Sequence, residues 1–158
     1  MPIPISALEV AQYLLYLDQE TSKSGEVKGK NWEPITNLKL QKLLYYCQAQ
    51  NLLSTGIPKF VDKIVAWMYG PVVKEVYENY AEHRAEIIHS EVSNSNKLNL
   101  DSSHIETIKF VYELFKKDDA NTLVQKTHNE APWIHAYYTL GLNSEITPKL
   151  IYQHFFKV

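Results

Sequence analysis

Apolar positions recur at helical spacing in several stretches of the chain, and the polar residues between them mark where each stretch begins and ends. Ser6-x-x-Glu9 forms a capping box with Ile5 and Val10 placed as a hydrophobic staple, and Ala7, Ala11, Leu14 and Leu15 follow at helical intervals. The period is lost from Thr21 to Pro34, where Gly, Lys and Ser gather, so this stretch reads as an exposed loop. Thr36 is placed to cap a second helix. At roughly 100° per residue, Leu40, Leu43, Leu44 and Cys47 fall on one side of it and Leu38, Tyr45, Ala49 and Leu52 nearly opposite. Two apolar faces require burial from two directions, which makes this helix, over about 37–54, the expected centre of the fold. Gly56 with Pro58 just beyond stops it.

Ile64, Val65, Trp67 and Tyr69 form a short β-branched and aromatic run that reads as one strand. Its candidate partners are Glu86 to Val92 and Lys97 to Leu100, separated by the turn-forming Ser93-Asn94-Ser95-Asn96. Gly70-Pro71 reads as a helix start, with Val72, Val73, Val76, Tyr77 and Tyr80 on one face and Glu75, Glu78 and Glu82 on the other. Ser103-x-x-Glu106 is a second capping box, followed by Ile105, Ile108, Val111, Tyr112 and Phe115 at amphipathic spacing. A short helix from Asp119 to His128 is interrupted at Pro132, where Trp133 begins another turn or two, and Thr147-Pro148 starts the last helix, over about 147–157. These elements predict a mainly α, compact single-domain bundle of residues 1–158 around the central helix, with a small two- or three-stranded β element.

Composition agrees with one globular domain. The 158 residues are 45% hydrophobic and 22% charged, and the net charge of -2 leaves no whole-molecule field to attract nucleic acid or anionic lipid. No apolar run approaches the roughly 18 residues of a membrane span, and the N-terminus lacks the basic start of a secretory signal, so the chain is expected in the cytoplasm. Eleven Tyr, five Phe and three Trp are the unusual feature, since aromatic rings serve cores and interfaces equally well.

Candidate chemistry is sparse. The five glycines form neither GxGxxG nor a P-loop, Cys47 has no CxxC partner, and the six histidines show no HExxH. No cofactor and no metal is therefore expected. His128, Glu130 and His135 come closest to a metal or acid–base cluster, and read more simply as a polar turn around Pro132. Cys47 as a nucleophile is opposed by its position among leucines. Lys23, Lys28 and Lys30 with Trp32 could pair phosphates and stack a base, but Glu26 and Glu33 dilute the run, so nucleic acid is not expected as a partner. Glu75, Glu78 and Glu82 are either a solvated stripe or an acidic contact. Trp67, Tyr69 and Trp133 each sit at a chain reversal, where a ring pins a loop or anchors a partner.

The motifs Asn37-Leu38-Lys39-Leu40-Gln41-Lys42-Leu43-Leu44-Tyr45-Tyr46, then Ala66-Trp67 with Tyr69-Gly70-Pro71-Val72-Val73 and Glu75-Val76-Tyr77, and finally Thr127-His128, Glu130 and Pro132-Trp133, resemble the Panacea antitoxin domain. That family includes the SocA-like proteolytic adaptor and phage-associated proteins, and the likeness runs from about residue 8 to 133. The resemblance implies a bacterial helical domain that neutralises a toxin encoded beside it by direct protein contact, without catalysis. A variant mechanism delivers the toxin to an ATP-dependent protease. Within the motifs, Leu40, Gln41, Lys42, Leu43, Tyr45, Gly70, Pro71, Val72 and Pro132 are expected to be structural, and Trp67, Tyr69, Glu75, Glu78, Glu82 and Trp133 to face the partner. Cys47 and Ala131 depart from the family pattern, where alanine and glycine are expected. Some members carry an added DNA-binding segment for which this chain has no room, so autoregulation on DNA is not expected. A small hydrolase using Cys47 or His128 is the competing reading from residue types alone. The toxin's identity and the oligomeric state do not follow from the sequence.

Overall fold

The computed structural model describes residues 3–24, 31–89 and 100–156. Its helices are α1 (Ala7–Ser24), α2 (Asn37–Thr55), α3 (Lys74–Asn79), α4 (Ser102–Phe115), α5 (Ala120–His128), α6 (Ala131–Ile134) and α7 (Pro148–Phe155), with a two-stranded sheet of β1 (Val65–Trp67) and β2 (Gly70–Val72). The mainly α expectation holds, and α2 is the hub. Leu40, Leu43, Leu44, Tyr45, Cys47, Ala49 and Leu52 are all buried, because α1, α4, α5, α7 and β2 pack around the helix from opposite sides.

Local signals explain most boundaries. Ser6 Oγ accepts from Glu9 N while Glu9 Oε1 accepts from Ser6 N, closing the capping box that starts α1. Thr36 Oγ1 accepts from Lys39 N at the start of α2, and Gly56, at φ +74°, closes its end with a bond from its N–H to Leu52 O. Asp119 and Thr147 cap α5 and α7. After α6 the chain widens into a π-turn, His135–Leu140, whose last carbonyl bond is Gly141 N to Ala136 O at 2.9 Å.

Four expectations are corrected. Gly70-Pro71 does not open a helix: Val65, Ala66 and Trp67 pair antiparallel with Val72, Pro71 and Gly70, making a hairpin with Met68 and Tyr69 at its tip, and α3 begins only at Lys74. A proline suits the first turn of a helix and an edge strand for the same reason, the missing N–H, so the sequence signal is ambiguous. The partner of β1 is thus β2, whereas Glu86 to Val92 and Lys97 to Leu100 were the candidates. Ile88 N donates instead to Ile35 O, Ile87 bridges Thr36, and residues 90–99, including Lys97 to Asn99 and the Ser93–Asn96 turn, lie outside the described residues. The free side of β1 is covered by the chain entering α7, through Ala66 N to Ser144 O and Asn143 N to Ala66 O. The capping residue of α4 is Asp101, which accepts from Ser103 N, so the Ser103 box sits inside the helix it was expected to start. Finally, α1 continues to Ser24, three residues into the expected loop, where Thr21 Oγ1 bonds back to Leu17 O. Lys28 and Lys30 lie outside the described residues.

Candidate functional site

Asn37, Lys39, Gln41, Lys42, Gln48 and Asn51 of α2 are as buried as its core leucines, and each of them holds backbone. Lys42, with no exposed surface, donates from Nζ to Pro71 O at 3.0 Å. Gln41 Oε1 accepts from Val73 N, and its amide nitrogen donates to Asn37 Oδ1. Asn37 Nδ2 in turn donates to Tyr77 O. One turn of helix thereby fixes the exit of the hairpin and the start of α3. Lys39 Nζ bonds Glu33 O and Lys116 O, tying the entry of α2 to the end of α4. Buried ammonium groups without a carboxylate partner titrate low: burial brings Lys42 down to about 7 and Lys39 to about 8, nearby acids offsetting part of the latter.

The hairpin is held from its other side by the α5–α6 corner. Trp133 Nε1 donates to Trp67 O at 2.8 Å, and His128 Nε2 lies 2.9 Å from Met68 O. A carbonyl only accepts, so Nε2 carries the hydrogen and the tautomer is set. The His128 ring stacks on Trp133 with centroids 4.1 Å apart, and Trp133 stacks on Tyr137 at 4.8 Å. Trp133 is itself only 3% exposed. It was expected to face a partner; its ring is instead a buried post under the hairpin, its N–H bonded to Trp67 O and its ring stacked on His128 and Tyr137. Gly70 closes the packing, since a Cβ there would stand 2.8 Å from Lys42 Cε and 2.9 Å from Thr127 Oγ1. Leu40, Leu43, Tyr45, Pro71, Val72 and Pro132, all expected to be structural, are buried.

This clamp presents an apolar tip. Met68 and Tyr69 are 59% and 62% exposed, and Leu142, on the turn after the π-turn, is 63% exposed. Between them lies a groove of about 440 Å³ lined by Leu38, Gln41, Trp67, Val72, Lys74, Tyr77 and Asn143 in addition to the three exposed residues. Trp67 is half-buried in its wall, its ring edge-on to Tyr77 at 5.1 Å and its Nε1 bonded to Asn143 Oδ1. Glu75, Glu78 and Glu82 are exposed on α3 and the turn after it. A hydrogen bond to Asp62 raises the Glu75 carboxyl, with burial and the charges of Asp62 and Glu78 acting the same way. Met68, Leu142 and Asn143 escaped sequence reasoning because isolated residues in short turns carry no periodicity, and Lys74 because it stood as one polar residue of a helix expected to start at Gly70-Pro71; the Tyr-Gly-Pro and Gly-Leu-Asn turns were the only signals.

The other candidates are occupied. Cys47 is fully buried and its thiol is pushed up to about 12 by burial, with Lys59 pulling the other way, so it is not a thiolate. Glu130, buried, accepts from Tyr46 OH and pairs with Lys126 at 3.2 Å, while His128 serves Met68. His135 is exposed, and among the described residues no group of three His, Cys, Asp or Glu side chains is placed to hold a metal. Trp32 directs its indole N–H to buried Asp18, which also accepts from Ile35 N and Tyr112 OH. That ring anchors the segment entering α2 to α1.

A family model described as antitoxin SocA-like, Panacea domain, matches residues 40–134. No curated protein and no solved structure matches the chain.

Proposed function

The chain belongs to the SocA-like Panacea antitoxin domain family, and on that premise we propose that it neutralises a protein toxin by direct contact, using the hairpin tip at Trp67, Met68 and Tyr69 and the groove beside it. The observation that supports this reading is the contrast between the backbone of the hairpin and the side chains at its tip. Its backbone is fixed by Lys42, Gln41, His128 and Trp133, whereas its tip leaves large apolar side chains in water. A rigid support under exposed aromatic and aliphatic groups lowers the ordering cost of binding, which is where affinity is most often lost. A nanomolar complex needs a net of about -12 kcal/mol, within reach of a few such anchors. Glu75, Glu78 and Glu82, exposed on α3 and the turn after it, add negative charge and would steer a partner's basic groups.

No helix among the described residues is long and apolar enough to cross a membrane, and on this reading the two proteins meet in the cytoplasm. The test is to express the product of the neighbouring gene with and without this chain, following growth and isolating the tagged product. Restored growth with a stoichiometric complex is expected. Restored growth in which the toxin disappears unless a protease is deleted would replace direct neutralisation by delivery to that protease. No complex at all would overturn the reading.

A further inference from the structure

We infer that the groove beside the hairpin is the socket for an acidic segment of the toxin, which seats a large apolar side chain in the groove and sets a carboxylate against Lys74; the inference rests on the antitoxin reading above. Size is the first argument. A volume of about 440 Å³ is near the lower end for ligand pockets and holds one or two large side chains.

Chemistry is the second. The polar groups in the wall are largely consumed internally: the Gln41 amide bonds Asn37 and Val73, and Asn143 Oδ1 accepts from Trp67. The one charged group in the lining is Lys74, which is exposed and has no ion pair among the described residues. An occupant therefore meets apolar walls and a single unpaired ammonium at the edge. Its complement is an apolar anchor next to Asp or Glu, and a basic segment would place like charges together as it docked. Glu75 and Glu78 follow Lys74 on α3, so a basic group of the same partner would sit beside the acid of the segment.

The third argument is rigidity. The walls come from α2, the pinned hairpin and the turn bonded to β1, so the socket exists before the partner arrives. Preformed and flanked by exposed Met68, Tyr69 and Leu142, it can enclose an anchor side chain, the setting in which truncating a contact costs most.

The experiment measures affinity of the full chain for the purified neighbouring-gene product at 50 and 500 mM salt, between which the Debye length falls from about 14 to about 4 Å. Variants are Leu142→Asp, Lys74→Glu and Lys74→Arg, with Phe110→Ser, exposed on α4, as a distant control. Leu142→Asp is expected to weaken binding at least about tenfold at both salts. Lys74→Glu is expected to weaken it about tenfold at low salt and much less at high salt, with Lys74→Arg near wild type and a charge reversal on one toxin acid restoring affinity. Unaltered binding by Leu142→Asp and Lys74→Glu, with melting curves equal to wild type, would overturn the socket and leave the antitoxin reading intact. So would loss of binding in Phe110→Ser alone, or a dimer of the chain by itself that Leu142→Asp dissolves, which would make a second copy the occupant. Absence of wild-type binding removes both readings.

Discussion

Position 70 separates two costs that glycine replacement usually mixes. Gly56 and Gly70 both have positive φ, +74° and +110°, but a Cβ at 56 meets nothing within 4 Å whereas one at 70 meets Lys42 and Thr127 below 3 Å. Gly56→Ala is therefore expected to cost about 1 kcal/mol of conformational strain. Gly70→Val should cost roughly 3 kcal/mol or more, adding steric overlap beneath the hairpin. Urea melts of the two variants check the difference. Lys39, Lys42 and Lys59 make a second residue-scale prediction. Burial lowers all three, Lys59 to about 8 beside the His104 ring at 2.8 Å. Each lysine titrates near its ordinary value of 10.5 when unfolded, so from about pH 7 to 10 the unfolded chain holds more protons than the folded one. Stability should accordingly rise with pH across that window. The rise ends as the buried tyrosines, whose hydroxyls are raised, begin to ionise in the unfolded chain near their ordinary value of about 10. Lys42→Met should flatten the slope in thermal melts taken from pH 7 to 9.5; an unchanged slope would mean that Lys42 is charged and compensated in the fold.

Among the elements, the hairpin depends most on partners distant in sequence. Trp133→Phe removes one donor from Trp67 O while keeping a stacked ring, so the fold should persist with faster amide hydrogen exchange over residues 65–72. Exchange equal to wild type there would show that the indole bond does not hold the hairpin. The same element marks where sequence reasoning stops. Periodicity revealed α1, α2, α4, α5 and α7 because each has a local cap and a repeating apolar face. It misplaced β2 because three residues carry no period, and because Pro71 signals a helix start as readily as an edge. By residue type Lys39 and Lys42 look solvated, and only the family resemblance marked Lys42 as structural. What buries them is backbone arriving from residues 33, 71 and 116, and nothing within α2 announces it. The tip was legible in part: Trp67 and Tyr69 were named, while Leu142 and Lys74 join them only through the third dimension.

For the molecule as a whole, α2 is the shared wall of every layer, so its loss is the loss of the fold. Thr36→Ala, which removes one cap bond, should lower global stability by about 1 kcal/mol and leave the tip's recognition unaltered once the protein is folded. Denaturant midpoint and affinity, measured on the same sample, check both halves of that statement. Cys47 supplies a way to watch this coupling. It is the chain's single cysteine, sits in the middle of α2 without exposed surface, and is a protonated thiol. A water-soluble thiol reagent can reach it only when the helices around α2 separate, so the labelling rate under native conditions counts whole-molecule openings. One sulfur atom thus serves as a clock for unfolding, readable by mass spectrometry without a dye, a tag or a denaturant, and it should slow when the toxin is bound.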